Sequence, residues 1–427
     1  MKKAMLIYIL GMASVWLTHL IGGYTYAVFV AFFVITFIAC PPQKSFSPLT
    51  IFYAYYGAWF VVAPHCATRY AGMLMLTEYS LGLALAYSVF GIGVLAIDMG
   101  DYIGQHVRVK HRESSVIPDR TINVVTAFLY LIATVMVLMI IRVTGGFARW
   151  IADPGEAFLN RGGSGVFVIL SHFSSITLAA LVGYISYRRK QWFPLICFIV
   201  WVLITSPVHG SKLQISLLII TVFIPWFRTL PFMSGKTFML YVTFGFIFLL
   251  GLYFRNVSWL GGKTIIPYAL NYFTALENLA MSVRDFHPGF ITTFFLPFVK
   301  LQTPFGLSDP KMYFDMNHYL TDIYYPHAWA IRATEQWPVE TDLYLNFMFV
   351  WGLPLVFIYL FVVGYIHGRA QKIDTLGCWV ASFLMTVFMI SHLRGSLINH
   401  TDFYMYPFIF CIYFLLGKLP FKNAYFG

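Results

Sequence analysis

The sequence predicts an all-α protein, a polytopic membrane bundle of about twelve spanning helices with one large polar loop late in the chain. Three observations predict it. The 427 residues are 59% hydrophobic, 19% aromatic and only 11% charged, with a mean hydropathy of +0.74. A soluble domain cannot hide so much apolar surface, so much of it must face lipid. Apolar runs near bilayer-crossing length also follow one another closely, and Lys and Arg alternate between the connections with one consistent sense.

The runs fall at 4–22, 25–40, 48–65, 79–98, 121–143, 165–186, 192–206, 213–227, 237–254, 341–366, 376–392 and 405–418. Lys2-Lys3 before the first run resembles a signal peptide, but no small-residue cleavage site stands out, so an uncleaved first helix is expected. With the N-terminus inside, Lys44, the 99–120 loop, Arg188-Arg189-Lys190, Arg228 and Lys236, Arg369 and Lys372, and Lys418 and Lys422 all fall in the cytoplasm. That gathers sixteen of the twenty-eight Lys and Arg in short cytoplasmic segments. Both termini are then cytoplasmic and the long loop lies on the opposite side. The expected organisation is a membrane bundle over 1–254, the loop over 255–340, and a second group of spans over 341–427.

Charge and cysteine usage exclude other classes. A net charge of +11 would suggest nucleic acid in a soluble protein, but the positive-inside bias accounts for much of it, and no nucleic-acid partner is expected. The five cysteines are scattered, mostly in apolar runs and without a C-x-x-C pair. They read as small core residues rather than a disulfide framework or zinc site.

The loop carries the chemistry. Its 86 residues hold six Lys/Arg, three His and seven of the chain's seventeen acidic residues, and a loop this long is more often functional than idle. Twelve cations lie on the translocated side or at span ends, among them Arg142, Arg161, Lys212, Arg255, Arg284 and Arg394. Clustered positive charge there calls for an anionic ligand, and a phosphate or diphosphate suits guanidinium forks best. Arg161 precedes Gly-Gly-Ser-Gly, which either lets a backbone approach a ligand closely or is a plain flexible turn. Lys212 heads a span, where it meets an anion at a positive dipole end or snorkels to the interface.

Glu340, Asp342 and Tyr344 sit where the loop re-enters the membrane. A carboxylate among cations at a membrane mouth is a natural general base, and one in the first turn of a helix is also ordinary dipole chemistry. Arg394, His400 and Asp402 occupy the last outer loop and could close the same site. Asp315, His318, Asp322 and His327 match no tight ligand spacing, so no metal is expected, and no cofactor fingerprint appears.

Thr341-Asp-Leu-Tyr-Leu-Asn-Phe-Met-Phe-Val-Trp-Gly352-Leu-Pro, with Arg161-Gly-Gly-Ser-Gly and Gly210-Ser-Lys212, resembles segments of the Wzy-type O-antigen polymerases and the related O-antigen ligases. The motif likeness covers some thirty residues, and the layout of spans around one dominant outer loop covers most of the chain. The resemblance implies a GT-C-like helical fold in a bacterial inner membrane with the loop in the periplasm. It also implies metal-independent, inverting transfer between undecaprenyl-diphosphate-linked oligosaccharides, with a chain-length regulator as a possible partner. Ligase relatives often carry His-Asn before x-Tyr-Leu; here Thr341-Asp342 stands instead, which moves the expected base to Glu340 or Asp342.

Two other classes stand beside this one. A transporter, such as a flippase for lipid-linked oligosaccharides, would show internal repeats and mid-span charges, and the sequence has no clear repeat and few such charges. An acyltransferase would need a nucleophile system in a membrane cavity, for which His172 is the one candidate.

Overall fold

The computed structural model describes residues 2–66, 73–108, 117–152, 157–158, 163–209, 212–243, 245–246, 249, 273, 275–301, 312–330 and 334–421. Among them the regular elements are all helical, accompanied only by three isolated β-bridges. The principal helices are α1 (Lys2–Leu20), α2 (Thr25–Ala39), α3 (Pro48–Tyr56), α4 (Thr77–His106), α5 (Asp119–Val143), α6 (Gly165–Arg189), α7 (Phe193–His209) and α8 (Lys212–Phe227). They continue with α9 (Ala275–Asp285), α10 (Met316–Tyr324), α11 (Val339–Asn346), α12 (Leu353–Ile373), α13 (Leu376–Leu393) and α14 (Asp402–Leu415).

Among the described residues, five helical segments are long and apolar enough to cross a membrane: α4, α5, α6, Val350–Ile373 and α13. Shorter apolar helices lie at Ala4–Leu20, Thr25–Ala39, Pro48–Val62, Phe193–His209 and Gln214–Phe227. This is the helical, lipid-facing architecture that the composition predicts.

The chain divides into two compact units. The first comprises Met1–Val107, Pro231–Arg369 and Met385–Tyr406, and holds α1–α4, α9–α12 and the 394–401 connection. Within it α4 and α12 approach each other closely through glycines. A Cβ on Gly100 would lie 2.2 Å from the Phe361 carbonyl oxygen, one on Gly364 2.3 Å from that of Ile97, and one on Gly368 2.1 Å from that of Asp101. Glycines presented by both helices let their backbones come this close. The second unit comprises Arg108–Leu230, Ala370–Leu384 and Pro407–Gly427. There a Cβ on Gly183 of α6 would lie 2.1 Å from the Val222 carbonyl of α8, and Arg228 pairs with Asp374 at 3.0 Å.

The apolar run 341–366 predicts one span, and the structure divides it. Helix α11 stops at Asn346, Met348 and Phe349 take positive φ of 46° and 62°, and the next helix starts after Gly352. Leu353-Pro354 favours a restart there, because proline lacks an N–H and fits a helix's first turn without losing a hydrogen bond. Capping sets the start of α3 as well: the Ser47 hydroxyl accepts the Thr50 N–H at 3.2 Å, and Pro48 follows it.

Candidate functional site

Helix α11 is buried along its whole length, which is unusual for eight residues that include two carboxylates. It packs on α9 and α4 within the first unit. The Asn278 side chain of α9 donates to the Gln336 carbonyl at 2.7 Å and accepts the Tyr325 hydroxyl at 3.2 Å, fixing the approach to α11.

Glu340 is fully buried. Its Oε1 accepts the hydroxyl of Tyr56, from the end of α3, at 2.6 Å. Its Oε2 finds no hydrogen-bond partner among the described residues. Burial pushes the Glu340 carboxyl up to about 7, against the opposing pull of the Tyr56 hydroxyl. A carboxyl with one anchored and one unpaired oxygen, titrating near neutrality, is suited to take or give a proton.

The chain around Tyr56 is specialised. A π-helical turn, Gly57–Val62, follows it directly, a distortion frequent at functional sites. Tyr55 donates to the Leu393 carbonyl at 2.7 Å, and the Trp59 ring stacks on Tyr55 with centroids 4.8 Å apart. The Arg394 guanidinium lies 5.2 Å from the centroid of the Trp59 ring. The cation is thus held over an aromatic face supplied by the π-helical turn.

Asp342 has different work. Its Oδ1 accepts the Asn346 side-chain amide at 2.7 Å and its Oδ2 the Leu397 backbone N–H at 3.0 Å. Burial raises its carboxyl to about 6, with the Leu397 amide, Asn346, Ser396 and His392 pulling the other way. Both oxygens are engaged, so Asp342 ties the 394–398 segment to α11 and leaves the free carboxylate position to Glu340. Tyr344 donates to the Phe286 carbonyl at 3.2 Å, holding the segment after α9.

His392, at the end of α13, continues the network. Its Nδ1 faces the Ser396 carbonyl at 2.9 Å, so that nitrogen carries the proton. Its Nε2 lies 2.9 Å from the Tyr406 hydroxyl and 3.3 Å from Asp402 Oδ1. Asp402 Oδ2 accepts the Asn399 N–H at 2.8 Å. His400 Nδ1 lies 3.9 Å from Asp315 Oδ2, and burial lowers the His400 pKa. Asp315 in turn caps α10 through the His318 N–H at 2.9 Å. Among the described residues no group of His, Cys, Asp and Glu is arranged to hold a metal ion.

Of the sequence candidates, the first unit therefore brings together Glu340, Asp342, Tyr344, Arg394, His400 and Asp402. Arg284 belongs to the same unit but is exposed and paired bidentately with its neighbour Asp285 at 2.8 and 2.9 Å. Arg142 ends α5 in the second unit and is exposed. Arg161 and Arg255 lie outside the described residues, as does the side chain of Lys212 at the head of α8. Sequence reasoning missed Tyr56, Trp59 and His392. His392 carried a usable signal, an ionisable residue inside an apolar run. Tyr56 carried none, because its partner is 284 residues away.

Compared with family models, curated proteins and solved structures, the chain matches none at a meaningful level. What fold and site define together is a helical membrane protein whose first unit holds a buried carboxylate anchored by a tyrosine and an arginine seated on a tryptophan ring.

Proposed function

We propose that this chain is a glycosyltransferase that polymerises undecaprenyl-diphosphate-linked oligosaccharide repeat units at the periplasmic face of a bacterial inner membrane. The reading keeps about twelve spans, both termini in the cytoplasm and the 255–340 loop outside. The observation that carries it is Glu340, buried, with Oε1 anchored by Tyr56 and Oε2 unpaired.

In the reaction, an acceptor hydroxyl attacks the anomeric carbon of the donor sugar. The bond from that carbon to the diphosphate oxygen breaks, and the lipid diphosphate leaves with the electron pair. Glu340 takes the hydroxyl proton through Oε2, and a base titrating near neutrality is well matched to this step. Arg394 would neutralise the charge that develops on the leaving diphosphate. The diphosphate is itself the activated leaving group, so the transfer needs no nucleotide. Asp342, His392 and Asp402 hold the loop that carries Arg394.

The test is a cell-envelope glycan gel on a strain lacking the chain, complemented with wild type, Glu340→Gln or Arg394→Ala at matched membrane expression. A ladder restored only by wild type, over a null background of single repeat units, supports polymerisation. A null strain with no repeat unit attached favours an O-antigen ligase or a lipid-linked oligosaccharide flippase. An unchanged ladder removes the glycan reading.

A further inference from the structure

Two stretches without any Asp, Glu, Lys or Arg meet beside α11: 286–299, and the segment from 343 into α12. They are stitched together by backbone. The Gly289 N–H donates to the Tyr344 carbonyl at 2.9 Å, Ile291 N–H to that of Asn346 at 3.0 Å, and Met348 N–H to that of Gly289 at 2.8 Å. The Asn346 side chain accepts the Thr293 N–H at 2.6 Å and donates to the Thr293 hydroxyl at 2.9 Å. A Cβ on Gly289 would lie 2.7 Å from the Leu345 carbonyl oxygen, so only glycine allows the approach.

This stitching fixes a strained backbone. Ile291, Met348 and Phe349 all have positive φ, at 59°, 46° and 62°. A β-branched residue there is a true outlier, of the kind kept where a site requires it. The result is that large apolar side chains stand outward: Phe290 is 63% exposed, Phe295 61%, Val350 65% and Trp351 69%, with Met348 also exposed. The patch does not end at the turn. Trp351 continues along α12 into Leu355, Ile358 and Val362, all exposed and spaced so as to share one helix face.

That stripe belongs to a candidate membrane span and has hydrocarbon as its natural neighbour. An apolar surface continuous with it, charge-free and with backbone amides turned inward, suits the boundary between headgroups and acyl chains. We infer that residues 289–298 and 347–351 form a wedge seated in the bilayer at the end of α12, although the sequence assigns 289–298 to the polar loop. Its occupant is the acyl chains of membrane lipids.

The inference stands on the fold and not on the glycosyltransferase reading. Thr293, Phe294 and Pro297 line a small crevice with Asp342 and the 396–398 segment, so the wedge is packed against the side of α11 that carries Asp342.

The test uses the full chain in lipid nanodiscs, with its native cysteines replaced by alanine and one bimane label introduced by Phe290→Cys, Phe295→Cys or Arg284→Cys. A phosphatidylcholine with a nitroxide high on its acyl chain should quench the first two labels several-fold more than aqueous iodide does. The label at Arg284→Cys, at the exposed C-terminal end of α9, should show the reverse. Trp351→Phe in the unlabelled natural chain is a near-isosteric second probe, and it should remove part of the tryptophan quenching by brominated lipid. Iodide-dominated quenching at Phe290→Cys and Phe295→Cys would overturn the wedge, as would disulfide cross-linking between copies at these sites without lipid quenching.

Discussion

Tyr56 donates its hydroxyl to Glu340 Oε1 at 2.6 Å across 284 residues of sequence, and both side chains are fully buried. The hydrogen bond favours the charged carboxylate and desolvation opposes it, and burial wins. Removing the donor by Tyr56→Phe should raise the Glu340 pKa further above 7. If Glu340 is the base, the acid limb of the kcat/KM profile then moves to higher pH by on the order of one unit, with the high-pH plateau largely kept. Glu340→Gln should lower kcat by roughly 10²–10⁴ at every pH. Turnover of a lipid-linked oligosaccharide by purified protein, measured across pH, checks both. A Tyr56→Phe profile that keeps its midpoint would disconnect the pair from catalysis.

The same carboxyl makes stability depend on pH. Its folded pKa of about 7 lies above the ordinary 4.5, so the folded state binds the proton more tightly than the unfolded one. The stabilisation is complete below about 4.5, declines as pH rises to about 7, and is flat beyond, with a total of roughly 3 kcal/mol. Asp342 adds a slope of the same sign between 3.8 and about 6. Glu340→Gln should therefore flatten the fall in Tm between pH 5 and 7 relative to wild type. Thermal unfolding in one detergent over that range is the measurement, and parallel curves for the two proteins would contradict it.

Asp342 should behave as a fastener. Its two oxygens accept N–H groups from Asn346 and Leu397, so Asp342→Asn must turn an amide NH₂ toward one of those donors. Leaving a buried donor unmet costs about 1–3 kcal/mol. Tm should fall by several degrees, and proteolysis within 394–401 should quicken. Glu340→Gln should show neither effect, so the two adjacent carboxylates separate by phenotype. Limited proteolysis of the membrane-extracted proteins distinguishes them.

Much of the helical layout was legible from apolar runs and composition, because lipid imposes a simple length rule on each helix. The segment 343–352 was not. Its residues are as apolar as a span, and only Gly352 and Pro354 hinted that the helix restarts. Glu340 was legible as a candidate because a carboxylate at a span's mouth is rare in so uncharged a chain. Its separation in role from Asp342 was not, since that depends on Tyr56 and Leu397, each remote in sequence. Arg284 illustrates the opposite failure. Counting cations could not show that its charge is met by the next residue.

The α4–α12 contact is the last relationship with a sharp consequence. Gly368 sits so that any Cβ would meet the Asp101 carbonyl at 2.1 Å, and Gly364 meets that of Ile97 at 2.3 Å. Backbone atoms cannot swing aside as the tip of a side chain can, so substitution must part the helices. Gly364→Leu and Gly368→Leu should each abolish the folded protein, read as loss of the monodisperse peak in detergent. Gly235, whose added Cβ meets nothing within 4 Å, supplies the control, and Gly235→Ala should leave that peak unchanged. Because α12 follows directly from the 347–352 turn after α11, milder parting by Gly368→Ala should also disturb Glu340. Its activity should fall further than its Tm does, and a variant losing both in proportion would place α12 outside the machinery that positions the carboxylate.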